Sequence, residues 1–417
     1  MAKPWTVMFY LVAEPIPDGS NPDDSAALDT AAQAEIDAIA KAARRASPDL
    51  HVVCQVDFNG RQNVRRLVMD ANGTTEVEVS PHDSVSAPGD RDTLKRFLSW
   101  ASSNYESDRH AVFFWGHSFG PGGLFETDDD GTVVSPLLLS RRQRDKMMRR
   151  REATSDGSDS SRRVLSLPDL ASALVAGAGS VSKHVDLVVF KDCFMNTLEA
   201  AFELAHVVDF QLGSQAKIPI HSRSKDANGE PRAATWPYER LFTALSSAGN
   251  DAGAVKRAAA SMLDALGEFY TVPDHLGDND EVPCSLLDLR NFDNVTDELN
   301  KFVDALQAKV PDIEERSNKI LKASAGDPAL VDVVNMCGQF SFPEATALAQ
   351  AVRRHVAGAK PRDDAFKGVS VFYSRATTEG VVGTSVFPHD YELLRIHRKT
   401  KWTDLMAFEL FLQPVHI

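Results

Sequence analysis

Two residues have the type and the setting for nucleophilic chemistry. Cys193 closes a strand-length apolar run, Val185–Phe190, and stands directly before a helical stretch, Thr197–Val207. A thiol at that place can have its thiolate stabilised by the helix N-terminus. It needs a base, and His117, just past the run Ala111–Trp115, can supply one from the end of a neighbouring strand. The plainer fate of a single cysteine is that of a small buried hydrophobe, and it stays open for Cys193 on these residues alone. A rival nucleophile lies beside the histidine. Gly116-His117-Ser118-Phe119-Gly120 matches the G-x-S-x-G elbow of α/β-hydrolases, which would make Ser118 an esterase nucleophile. That elbow opens into a helix, whereas here Pro121-Gly122-Gly123 and the acidic turn Asp128-Asp129-Asp130-Gly131 follow. Two adjacent glycines and such a turn do not readily continue a helix. Cys54, Cys284 and Cys337 sit in strand-like apolar contexts and read as core.

The elements that must hold these residues follow from periodicity. Trp5–Val12 is an apolar run as expected for a strand covered on both faces. A helix is predicted over about 25–46, a strand over His51–Phe58, a hairpin around Ala71-Asn72-Gly73, and a helix over about 90–105. Ser166 and Asp169 form a capping pattern ahead of another helix. Further helices are predicted near 252–267, 291–308 and 343–357, with strands at Cys284–Leu289, Val331–Met336 and Val369–Tyr373. Strand and helix alternating in this way imply a mainly parallel sheet with helices on both faces. Such sheets carry their chemistry at the carboxyl ends of the strands, where His117 and Cys193 both fall.

Composition narrows the setting. The 417 residues carry a formal charge of −14, which argues against nucleic acid or an anionic membrane surface as the main partner. Residues 141–163 run against this balance, with eight Arg and one Lys against four acids. The whole stretch 140–163 has almost no apolar content and is expected to be an exposed, mobile loop. No run approaches the 18 apolar residues of a membrane helix. The four cysteines are far apart, without a CxxC pair, so neither zinc nor a disulfide framework is suggested. From this, and from an N-terminus without a leader pattern, the expected compartment is the reducing cytoplasm.

The segment Phe190-Lys191-Asp192-Cys193-Phe194-Met195-Asn196-Thr197-Leu198-Glu199 resembles the nucleophile segment of the clostripain family of cysteine peptidases, relatives of the caspases. Val112–Trp115 with His117 is similar to that family's histidine segment, and Trp5–Tyr10 to its first strand. Ser214-Gln215 with Trp236-Pro237-Tyr238 resembles the stretch that builds its substrate cleft, and Gly368–Tyr373 with Trp402 its C-terminal signature. The resemblance implies a caspase-like α/β fold, a mainly parallel sheet sandwiched by helices. The expected division is a catalytic domain over 1–250 and a C-terminal α/β subdomain over 251–417 packed on it. It implies an endopeptidase acting on proteins, with Cys193 as nucleophile, His117 as general acid/base, and backbone N–H groups of Cys193 and Ser118 as the oxyanion site. Lys191, Ser214 and Trp236 would line the substrate cleft. No cofactor is required, although some relatives use calcium, for which the 128–131 turn is the candidate; a plain acidic turn is the favoured reading because no bidentate Glu follows at loop spacing.

Two departures bear on function. The family's glycine after the histidine is Ser118 here, and the acid two residues before the nucleophile is Lys191. The resemblance argues for a basic residue on the acyl side of the cut bond (P1), whereas a free Lys191 argues for an acidic one. The resemblance also implies a precursor nicked between His117 and Cys193. The basic loop offers Arg141, Arg142, Arg144, Arg149, Arg150, Arg151, Arg162 and Arg163 to an activating protease, while self-cutting would use Glu152, Asp156 or Asp159. A solvated insertion without a regulatory role, and a catalytically silent scaffold of the same fold, are the alternatives.

Overall fold

A computed structural model describes residues 3–13, 24–46, 48–58, 64–79, 91–118, 120–127, 163–177, 185–227, 229, 231–360, 364–373, 375–377, 380–382, 391, 393–403 and 405. The chain opens with β1 (Lys3–Val12), α1 (Asp24–Ala46), β2 (Leu50–Asp57), β3 (Val64–Asp70) and β4 (Gly73–Val77). Next come α2 (Arg91–Asn104), β5 (Ser107–Trp115), and the short strands β6 (Leu124–Thr127) and β7 (Arg163–Leu165), which pair with each other. The segment around the candidate thiol follows: α3 (Leu167–Gly177), β8 (Val185–Lys191), α4 (Leu198–Leu204) and β9 (Val208–Ser214). A ribbon of β10 (His221–Lys225) and β11 (Pro231–Ala233) leads to α5 (Tyr238–Ser246), α6 (Ala254–Phe269) and β12 (Cys284–Asp288). The remainder comprises α7 (Asp293–Lys309), α8 (Ile313–Leu321), β13 (Ser324–Ala325), β14 (Asp327–Asp332), α9 (Val333–Gly338), α10 (Pro343–His355), β15 (Val356–Lys360), β16 (Ser370–Phe372) and α11 (Arg395–Lys399).

Nine strands make one sheet in the order β15-β12-β9-β8-β5-β1-β2-β3-β4. Its centre, from β9 to β2, is parallel, and antiparallel strands extend both edges. Strands from both sides of residue 250 share this sheet. The apolar run of β1 serves two cores at once, because successive side chains point to opposite faces. Trp5, Val7, Phe9 and Leu11 pack with residues of α1, α5 and α6, while Met8, Tyr10 and Val12 pack with those of α2, α3 and α4. This is the helix-covered, mainly parallel architecture that the periodicity implied.

Several local expectations are corrected. The strand expected over Val331–Met336 ends at Asp332, whose carboxylate accepts the Asn335 N–H and so starts α9. Cys337 is therefore a buried helix residue and not part of a strand. The helix expected to 357 stops at His355, and β15 follows. Strand β9 went unread because Asp209, Gln211 and Ser214 interrupt its apolar pattern, yet it lies inside the sheet beside β8. The Ser166–Asp169 pair does close the start of α3, with the Ser166 hydroxyl 2.7 Å from the carboxylate.

Candidate active site

The sheet register brings the two candidate residues into line. In the parallel ladder of β5 and β8 the final pair is Trp115 with Lys191, and His117 and Cys193 each come two residues later. Both therefore leave the carboxyl edge of adjacent strands at the same level. The turns that carry them touch, since the Ser118 hydroxyl donates to the Cys193 carbonyl at 2.5 Å. The Cys193 Sγ lies 3.4 Å from the Ile218 N–H, and the side chain is half-buried. Burial pushes the thiol up to about 11, with the Ile218 N–H drawing it partly back. Burial likewise pushes the half-buried His117 down to about 4. At neutral pH the site as folded thus holds a protonated thiol and a neutral imidazole at the ends of adjacent strands.

Buried hydrogen bonds fix the turn after β8. Phe194 adopts φ 58°, a conformation that costs a side chain about 1 kcal/mol, and its N–H donates to the Ala216 carbonyl at 3.1 Å. Gly120, at φ +57°, is required beside it: a Cβ there would sit 2.9 Å from the Phe194 carbonyl oxygen. Asn196 donates to the Gly213 and Ser285 carbonyls at 3.0 and 2.8 Å and accepts from Gln211 at 2.9 Å. Gln215 then reaches Asp332, Ser370 and the Gly368 N–H, tying the loop after β9 to the C-terminal half. Asn196 was given no role in the sequence, and Gln215 only a place in the stretch that resembles the family's cleft. Their partners lie up to 155 residues away, and no local pattern signals them. Asp192 is fully buried with no hydrogen-bond partner for either carboxyl oxygen, and burial pushes its carboxyl well up.

The three residues expected to line the cleft are all in the interior. Lys191 is 4% exposed, forms an ion pair with Glu35 of α1 and donates to the Ala234 carbonyl at 2.7 Å. Burial lowers its ammonium and the Glu35 carboxylate opposes that. The second Glu35 oxygen accepts from the Tyr238 hydroxyl. A free cation, the premise of an acidic preference, is therefore absent at Lys191. The Trp236 indole N–H donates to the Tyr270 hydroxyl at 2.7 Å, and the Ser214 hydroxyl accepts the Ala216 N–H at 3.0 Å. The alternative nucleophile, Ser118, is buried, and a short turn over Gly120–Gly122 and then β6 follow it where an elbow needs a helix.

The activation-loop residues Arg141, Arg142, Arg144, Arg149, Arg150, Arg151 and Arg162, and the acidic turn 128–131, lie outside the described residues. Arg163 begins β7. Among the described residues no group of three or more His, Cys, Asp or Glu could hold a metal ion, and no helix is long and apolar enough to cross a membrane.

The model of the clostripain family of peptidases matches residues 140–337, a span that includes Cys193 and the loops around it. Over that span the chain is similar to the clostripain family of cysteine peptidases. No curated protein matches the sequence. Solved structures share its fold over nearly the whole chain. A secreted C11 cysteine protease from Bacteroides thetaiotaomicron, bound to an irreversible peptide inhibitor, is 16% identical, covers 97% of this chain and 99% of its own, and has a TM-score of 0.58. An inactive zymogen C11 protease from Parabacteroides distasonis is 16% identical over 96% of this chain and 99% of its own, with a TM-score of 0.57. A further secreted Bacteroides thetaiotaomicron C11 protease, iotapain, is 12% identical over 96% of this chain and 100% of its own, with a TM-score of 0.61. Two of these similar proteins are secreted proteases, which overturns the cytoplasmic expectation. The cysteine argument failed for a physical reason. Cys54, Cys284 and Cys337 are single and buried, so they are shielded whatever the redox state outside.

Proposed function

We propose that the chain cuts peptide bonds in proteins through a dyad of Cys193 and His117, and that cleavage within 140–163 converts a precursor into the active form. The observation that carries the dyad is the shared level of the two residues at the ends of β5 and β8, with the Ser118–Cys193 hydrogen bond joining their turns. His117 takes the thiol proton as Sγ attacks the scissile carbonyl carbon, and the carbonyl oxygen gains the negative charge. Backbone N–H groups of Cys193 and Ser118 hold that oxyanion. The intermediate collapses to a thioester as His117 passes its proton to the departing amine. Water, deprotonated by His117, then releases the acid and the thiol.

The neutral resting state supports the precursor reading. A thiol at about 11 beside an imidazole at about 4 is poorly prepared to form an ion pair before activation. One of the similar solved structures is itself an inactive zymogen. The test is peptide hydrolysis before and after limited cleavage of the 140–163 stretch, with His117→Ala, Cys193→Ala and the double variant measured alongside. Cleavage should raise turnover, and each single variant should lose about as much as the double, because the two residues act as one unit. Full activity in an uncut chain lacking 143–161 would remove the activation step. Activity surviving in Cys193→Ala would remove the dyad.

A further inference from the structure

We propose that Ser118 is a positioning residue, whose hydroxyl, bonded to the Cys193 carbonyl, holds the thiol in register with the His117 imidazole during turnover. This rests on the dyad reading and adds to it the part that keeps the dyad aligned. A thiol and its base cooperate when the base is held in one direction, commonly by a third group hydrogen-bonded to it. Among the described residues, none hydrogen-bonds the His117 ring. The direction of the imidazole is therefore left to the backbone of its turn, and the next residue of that turn is tied to the nucleophile itself. The donor end of this tie has its own anchor: the Ser118 backbone pairs with Leu124, a fully buried core residue, in an isolated antiparallel bridge. Ser118 is 3% exposed, so water does not compete for the bond.

The acceptor end is held from two sides. The Cys193 carbonyl and the Phe194 N–H belong to one planar peptide group and point in opposite directions. Ser118 donates to the carbonyl at 2.5 Å, and the Ala216 carbonyl accepts the N–H at 3.1 Å. One clamp comes from the turn after β5 and the other from the turn after β9. Phe194, at φ 58°, stores strain that a rotation of this peptide would relieve. Without the hydroxyl, the peptide keeps a single clamp and a buried carbonyl loses its donor. Its rotation would carry the Cys193 Cα, and the thiol with it, out of line with His117. The clostripain family has glycine where this chain has Ser118, so the tie belongs to this sequence. It also gives the serine of Gly116-His117-Ser118-Phe119-Gly120 a role that is not a nucleophile's.

The experiment measures peptide hydrolysis by the cleaved enzyme in wild type, Ser118→Ala, Ser118→Gly and Ser118→Thr. Turnover is expressed per Cys193 labelled by a peptide electrophile, so that a smaller folded fraction does not count as slower chemistry. Ser118→Ala and Ser118→Gly should each lower kcat by about ten-fold and leave KM within about two-fold of wild type, because alignment and not binding is lost. Ser118→Thr keeps a hydroxyl and should recover most of that loss. Should Ser118→Ala fail to fold, Ser118→Gly, the residue that the family carries, decides in its place. Wild-type kcat in the Ala or Gly variant, a loss confined to KM, or a Thr variant as slow as Ala would each overturn the proposal and leave the dyad standing. If wild type cuts no peptide and the electrophile fails to label Cys193, the dyad reading itself fails and this inference with it.

Discussion

The thiol and the imidazole are both held in their uncharged forms, and this state has a direct kinetic consequence. Alkylation requires the thiolate, and an unperturbed cysteine near 8.5 reaches it at moderate pH. With Cys193 pushed up to about 11, iodoacetamide should react with the uncut chain slowly at pH 7 and faster as the pH climbs towards 11. A rate already at its plateau below pH 8 would show a thiolate formed before activation, contrary to the buried thiol described above. At this scale the sequence was readable where chemistry coincides with a local pattern. Cys193 and His117 were marked as candidates because each follows an apolar strand-length run. Glu35 was not, because a buried ion pair with Lys191 needs the tertiary fold to bring α1 against the end of β8. The polar atoms of Ser214 and Trp236, which the resemblance would set in the cleft, have their partners inside the core.

At the scale of elements, the turn between β8 and α4 does the positioning. Its strained Phe194 persists because Asn196, Ala216 and the glycine opposite over-determine it. Gly120→Ala places a Cβ in a left-handed conformation and against the Phe194 carbonyl. It should lower stability by about 2 kcal/mol and reduce turnover with it, measured by denaturant unfolding and peptide hydrolysis. Unchanged stability would mean that the turn relaxes freely and does not hold Cys193. The strands with continuous apolar runs were legible from sequence, since a doubly covered strand has no polar face. Strand β9 was hidden by Gln211, whose amide nitrogen donates inside the fold to the Met195 carbonyl and to Asn196 Oδ1. At Asp332 a cap switched the chain from strand to helix, a change that the apolar run beyond it masks.

For the whole molecule, the decisive feature is that residues 140–163 separate strands which remain neighbours. A cut there puts β1–β5 on one fragment and β8, β9, β12 and β15 on the other, and the two halves meet along the parallel ladder of β5 and β8. That junction lies in the middle of the sheet with a core on each face, so the fragments should co-elute as one species on gel filtration without denaturant. Separation into two peaks would show that the ladder does not hold the halves together. The central claim is the chemistry of one thiol. Its most direct test is to treat the cleaved enzyme with an irreversible peptide electrophile and map the adduct by mass spectrometry, in wild type and in Cys193→Ala. A single adduct on Cys193 that abolishes hydrolysis is expected, with neither adduct nor hydrolysis in the variant. Hydrolysis persisting in Cys193→Ala, or an inactivating adduct on another residue, would contradict it.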